Sequence, residues 1–174
     1  MQPGYRNAVP RPLGLPFDPI ARAGELWGEH FGPADAMRAA TSIMRAHQLL
    51  LSRLDAILKP HGLTFARYEA LVLLKFSRRG SLPLSVIGER LMVHPTSVTN
   101  IVDRLATQGL VERRPNPRDG RGVLASLTAE GAALVERATA DLMADGFGLK
   151  AYDDAQLREL FDLLRTLRVE AGDF

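Results

Sequence analysis

The densest run of chemistry-bearing side chains is RRPNPRDGRG, residues 113–122. It holds the arginines 113, 114, 118 and 121, two prolines, two glycines, one asparagine and one aspartate. Asn-Pro and Asp-Gly steps punctuate a tight turn rather than continue a helix or strand. A rigid turn carrying several guanidinium groups can bind phosphate oxygens in a fixed fork geometry. Taken alone, the same run also fits a solvated surface loop, in which like charges are simply kept apart by water. What precedes it changes the balance. Residues 95–100 read PTSVTN, and Val98, Ile101, Val102 and Leu105 recur at i, i+3, i+4 and i+7. That stripe must pack inward, which leaves Thr96, Ser97, Thr99, Asn100 and Arg104 on other faces. Small hydroxyl and amide groups near a helix N-terminus can bond base edges and phosphates, and a helix of roughly 10–12 Å diameter fits the major groove of duplex DNA.

The elements that must position these groups follow from local signals. Prolines at 3, 10, 12, 16 and 19 predict an extended arm over residues 1–19. A short helix over 20–31, with Leu26, Trp27 and Phe31 on its apolar side, ends at Gly32-Pro33. A long amphipathic helix over 34–58 follows, with Ala40, Ile43, Met44, His47, Leu50, Leu51, Leu54 and Leu58 at helical spacing. Thr64 is the expected N-cap of a helix to about residue 79, with Tyr68, Leu71, Val72, Lys75 and Phe76 near its buried side. After an extended link at 81–84, Ser85 is the expected cap of a short helix. Val93-His94-Pro95 then turns the chain into the polar-faced helix over 95–108, and two short helices joined in this way form a helix-turn-helix. Gly109 suits the left-handed position that ends a helix. Strands over 111–114 and 123–127 make the arginine-rich turn the tip of a hairpin. Thr128 is the expected cap of a helix over 129–145 with Leu134, Val135, Ala138, Leu142 and Met143 inward. Asp153 with Gln156 reads as a capping box for a last helix striped by Leu157, Leu160, Phe161, Leu164 and Leu167.

Composition bounds the rest. The chain has 174 residues, 46% hydrophobic and 24% charged, with formal net charge +2 and no cysteine. One domain is expected at this length, residues 20–174, behind the arm. Absence of cysteine excludes disulfides, thiolate zinc sites and thiol redox switches. No apolar run reaches the roughly 18 residues of a membrane span, and the N-terminus shows no basic-then-apolar pattern, so a cytoplasmic protein without membrane contact is expected. Arginine concentrates between residues 104 and 121 while Asp and Glu gather in the last third, which places an anion-binding region in the hairpin and its helix. Gly-rich phosphate loops, nucleophile elbows and zinc-protease helices are missing, and His30, His47, His61 and His94 show no metal-ligand spacing. The reading is therefore not an enzyme, with no metal and no cofactor.

With these elements in order, the sequence resembles the MarR family of winged-helix transcriptional regulators. HPTSVTNIVDRLATQGLVERR, NPRDGR and SLTAEG carry the resemblance, which covers residues 34–174. It implies a mainly α fold with a small β-hairpin wing, a winged helix-turn-helix with N- and C-terminal dimerisation helices. Residues 20–60 and 146–174 would dimerise, 64–128 would form the DNA-binding lobe, and 129–145 would connect them. It further implies a homodimeric repressor on a pseudo-palindromic operator in double-stranded DNA, released by a small aromatic, phenolic or carboxylate effector. A protein-interaction module without effector control is the alternative, but it needs an apolar wing or recognition face where this chain carries arginine and hydroxyls. The family wing commonly reads Asp-x-Arg-Asp-x-Arg, and Asn116 stands at the first aspartate, keeping the turn-forming side chain while losing a charge.

The expected DNA-contacting residues are Pro95, Thr96, Ser97, Thr99, Asn100 and Arg104 on the helix, with Arg114, Asn116, Arg118, Asp119 and Arg121 in the wing. Arg118 and Arg121 reach the adjacent minor groove, where its enhanced negative potential attracts guanidinium, and Asp119 orients a neighbouring arginine. Arg113 and Arg114 alternate across a strand, so at most one of them faces DNA comfortably. For an effector, the expected cavity gathers Trp27, His30, Met44, Arg45, His47 and Tyr68. The competing reading makes His47 a satisfied core or interface histidine and the aromatics ordinary core.

Overall fold

A computed structural model describes residues 13–117 and 119–174, the stretch 119–121 as backbone. Helix α1 (Pro19–His30) is capped by Asp18, whose carboxylate accepts from the Ile20 amide at 2.9 Å. After it come α2 (Asp35–Leu58), α3 (Phe65–Phe76), strand β1 (Ser81–Pro83), α4 (Leu84–Leu91), α5 (Pro95–Thr107), β2 (Val111–Asn116), β3 (Asp119–Leu127), α6 (Ala129–Ala144) and α7 (Asp154–Glu170). The strands form one antiparallel sheet in the order β1-β3-β2, with Leu82 opposite Ala125 and Arg114 opposite Leu124. The fold is thus mainly α with a small β wing. The link expected over 81–84 proves to be a third strand over Ser81–Pro83, paired along β3, with Leu84 already in α4.

Several caps form as their local sequence predicts. Thr128 Oγ1 accepts from the Gly131 amide at 3.0 Å and donates to the Gly109 carbonyl at 2.8 Å. Asp153 and Gln156 close a reciprocal capping box. Gly109 takes φ 73° at the end of α5, where a side chain would be strained, and Leu110 beyond it is buried. Two caps differ. Thr64 has extended backbone, but its hydroxyl accepts from Arg67 Nε at 3.2 Å instead of from a helix amide. The Phe65 amide is bonded by Asp55 Oδ1 at 2.7 Å, so the start of α3 is capped from α2. Ser85 lies inside α4 and caps nothing, because Pro83, with φ fixed near −60°, already supplies the extended residue that starts the helix.

The core lies in the lobe. Leu58, Leu71, Leu74, Ile87, Leu105 and Leu142 are fully buried, which joins α2, α3, α4, α5 and α6 around one apolar centre. Val98, Val102 and Leu105 of α5 face inward as their spacing requires. Tyr68 is buried too, its hydroxyl bonded to Thr139 Oγ1 at 2.9 Å, which satisfies the polar end of a core aromatic. Phe76 and Met143 depart from expectation at 80% and 67% exposed. Helix α3 stops at Phe76 rather than near 79, and although Leu74 and Lys75 in its last turn meet the core and Glu136, the Phe76 ring stands open. The stripe of α2 divides in the same way. Leu54 and Leu58 are buried and Leu50 and Leu51 half-buried, whereas Ala40, Ile43, Met44 and His47 are exposed, since among the described residues nothing covers this face of α2. Helix α7 buries no residue, and its Phe161 and Leu167 stand open to solvent.

Candidate nucleic-acid interface

The turn between α4 and α5 delivers α5 with its N-terminus outward. His94 caps it: Nδ1 accepts from the Thr96 amide at 3.3 Å, and Pro95 takes the first helical position, where no amide partner is needed. Pro95, Thr96, Thr99, Asn100, Asp103 and Arg104 line one open depression on the outer face of α5. Thr99 donates its hydroxyl hydrogen to the Pro95 carbonyl at 3.1 Å, so its oxygen presents lone pairs outward. Ser97 is exposed but lies outside the depression. Arg104 has no acidic partner among the described residues. It also borders a second hollow with Thr64, Arg67, Asn100 and Ile101. Sequence spacing carries no sign of Arg67, because its nearness to Arg104 depends on how α3 packs against α5.

The wing is tied to this helix. Arg113 of β2 is ion-paired to Asp103 of α5, and on the opposite strand face Arg114 pairs with Glu112, two residues away. Arg113 is therefore drawn back onto the recognition helix, while Arg114 stays exposed. No periodicity marks the Asp103–Arg113 pair, which depends on where β2 lies along α5. At the far end of β2 the ladder shifts register between Pro115 and Asn116. Asn116 lines a hollow with Arg78, Arg79 and Arg90, three arginines that the sequence reading had not gathered and that form no ion pair with described residues. Arg118 lies outside the described residues, as do the side chains of Asp119 and Arg121.

A polar helix face with its N-terminus outward, beside an arginine-bearing hairpin joined to it by an ion pair, is the arrangement of a winged-helix DNA reader. Residues 61–122 match the sequence pattern of the MarR family. An HTH-type transcriptional regulator of Bacillus subtilis, YhbI, is 36% identical over 115 residues, 66% of this chain and 73% of that protein. The chain belongs to the MarR family. Sco5413, a MarR-family transcriptional regulator of Streptomyces coelicolor, is 64% identical, aligning over 80% of this chain and 96% of that one with a TM-score of 0.76. A second MarR-family regulator from the same organism, Sco3205, has been solved in complex with DNA; it is 26% identical over 77% of this chain and 86% of its own, with a TM-score of 0.69. This MarR-family chain is accordingly a transcriptional regulator in class.

The six residues expected around an effector lie on three helices, α1, α2 and α3. Trp27 packs on Phe31 with ring centroids 4.9 Å apart, and His30 Nδ1 is hydrogen-bonded to the Leu26 carbonyl at 2.8 Å, all within α1 and its C-cap. Met44, Arg45 and His47 are exposed on the projecting half of α2. Only Tyr68 of the six borders the large apolar groove between α3 and α6. Among the described residues no group of three or more metal-ligating side chains assembles, and no helix is long and apolar enough to cross a membrane.

Proposed function

We propose that this MarR-family regulator acts as a homodimeric repressor on a pseudo-palindromic operator and is released by a small aromatic ligand. In this reading the depression on α5 enters the major groove, with Thr96, Thr99 and Asn100 at base edges and Arg104 at phosphate. Ser97, Arg114 and Asn116 flank it, and Arg118, Asp119 and Arg121 serve the minor groove. The observation that carries the reading is the Asp103–Arg113 pair, which ties the wing to the recognition helix.

Support for the dimer comes from the two chain ends. Trp27, Phe31, Ile43 and Met44 on α1 and α2, and Phe161, Leu163 and Leu167 on α7, are exposed large apolar side chains. A monomer would leave them in water, and a second copy can bury them. Residues 20–60 and 146–174 are then the dimerising segments, 64–128 the DNA-binding lobe and 129–145 the connection. The test is phasing. A duplex selected from a random pool should carry half-sites about one helical turn, near 10 bp, apart. Moving them by about 5 bp turns one half to the opposite face and should abolish tight binding. Undiminished affinity on the shifted duplex overturns the two-fold reading.

A further inference from the structure

Between α3 and α6 lies an open groove of about 800 Å³, walled by Phe65, Phe76, Met143 and Phe147 among other apolar side chains. Its polar content is small and almost wholly paired. The Tyr68 and Thr139 hydroxyls bond each other at 2.9 Å, and Lys75 Nζ meets Glu136 Oε1 at 2.6 Å across the rim. Glu69 is the exception. Its carboxylate is half-buried in the same wall, with no hydrogen bond or ion pair among the described residues. Since Lys75 and Glu136 cancel, the groove carries one uncompensated negative charge. Burial pushes the Glu69 carboxyl above its ordinary carboxylate value. Phe147, at the end of the groove, is held at φ 50°, a left-handed conformation that costs an aromatic residue strain and that tends to cluster at ligand sites.

We propose that this groove binds a lipophilic aromatic monocation, its charge held by Glu69 and its rings lying against Phe65, Phe76, Met143 and Phe147. An apolar concavity with one well-placed charge is the usual form of a small-molecule site. Aromatic faces attract cations, and the Met143 thioether adapts to ring edges. The charge argument favours a cation over the carboxylate or phenolate that the family resemblance suggests, because an anion would meet an unpaired carboxylate in a partly desolvated wall. The proposal deepens the effector reading above and rests on it for any consequence at DNA, whereas binding itself is read independently.

Tetraphenylphosphonium and tetraphenylborate have nearly the same size and shape and opposite charge, so calorimetry on the full chain with each ion isolates the electrostatic choice. The cation should bind at least about tenfold more tightly, or about 1.4 kcal/mol. Glu69→Gln should remove that preference while leaving duplex affinity without ligand unchanged. Equal or tighter binding of the borate to the wild-type protein overturns the proposal, as does a preference that survives Glu69→Gln. Failure of both ions to bind, the result if a second copy covers the groove, overturns it too. Duplex binding measured without either ion separates these outcomes from failure of the regulator reading, since loss of duplex binding would strike that reading alone.

Discussion

Arg113 on β2 and Asp103 on α5 form an ion pair that bridges the wing and the recognition helix. Both side chains are substantially exposed, so the pair contributes little to global stability, about 0–1 kcal/mol. Its expected role is to hold the wing in place. Asp103→Ala and Arg113→Ala should each leave Tm within about 2–4 °C of wild type and weaken duplex binding several-fold. Because either change breaks the same link, the double variant should bind nearly as well as either single one. Additive losses in fluorescence anisotropy would show that the two residues act separately.

Asn100 and Arg104 share one hollow and should differ in what they read. Asn100→Ala is expected to cost roughly 1–3 kcal/mol on the preferred duplex and little on a random one, as a base-edge contact does. Arg104→Ala should weaken both duplexes alike and lower the slope of log affinity against log salt by about one, as a phosphate contact does. Anisotropy titrations at several salt concentrations check both. Equal loss on both duplexes for Asn100→Ala would remove it from the base-reading set.

Glu69 offers a pH test that needs no ligand. Its folded pKa lies above the unfolded one, so the folded state binds that proton more tightly. The cost of the buried charge is therefore absent below the unfolded value, near 4.3, and sets in as pH rises through the folded value. Glu69→Gln removes the charge and should raise Tm near pH 7 by about 1–2 °C, a modest figure because the group is half-exposed. The gap should close as pH falls toward 4. A gap of the same size at both pH values would show that the substitution acts through packing instead.

Asp145 should behave in the opposite sense. Arg53 donates to it through Nε at 3.0 Å and a terminal nitrogen at 3.3 Å, and Lys150 Nζ lies 3.3 Å away. The hydrogen bond from Arg53 foremost, with Lys150 adding to it, holds this carboxyl below its ordinary value. Its stabilising effect is complete above the unfolded pKa and fades as pH falls through the lowered folded one. Asp145→Asn should therefore lower Tm at pH 7 and converge with wild type in acid. A Tm difference that stays constant from pH 7 down into acid would mean the ion pair is not its source.

Gly131 marks a close approach. A Cβ there would press on the Leu110 carbonyl and lie 2.9 Å from Leu127 Cδ1. The carbonyl belongs to the backbone and cannot swing aside, so Gly131→Ala is expected to destabilise by about 1–3 kcal/mol despite its better helix propensity. Urea unfolding measures this, and a neutral or stabilising result would show that α6 can shift at no cost.

What was legible beforehand divides by range. Signals within a few residues, such as Thr128 before its helix, Asp153 with Gln156, and Gly109 after α5, form as read because a cap is completed by its own neighbours. The apolar stripes of α2, α3 and α6 were also visible, but periodicity marks an apolar face without naming what covers it. Hence Phe76, Met143 and the first half of α2 lie open. Ser85 caps nothing because it is the second helical residue of α4, two positions past the N-cap Pro83. The Asp103–Arg113 pair, the approach of Arg67 to Arg104 and the lone carboxylate of Glu69 depend on how separate elements pack, and sequence spacing carries no trace of them.

Helix α6 is fastened at both ends. At its start, Thr128 bonds the Gly109 and Leu110 carbonyls, where the recognition helix hands over to β2. Near its end, Asp141 meets His61 at 2.7 Å, and Asp145, just beyond it, meets Arg53 of α2. With 16 residues and 1.5 Å of rise each, its length is about 24 Å, so it behaves as a lever arm. A tilt of about 5° set at the α2 end swings the opposite end by about 2 Å, and in the proposed dimer the two swings add. Hydrogen bonds to base edges tolerate only a few tenths of an ångström beyond about 3 Å. A ligand bound beside α6, as proposed above, would therefore have mechanical advantage: a displacement too small to disturb the core would be enough to throw both reading heads of the proposed dimer off the pitch of the duplex.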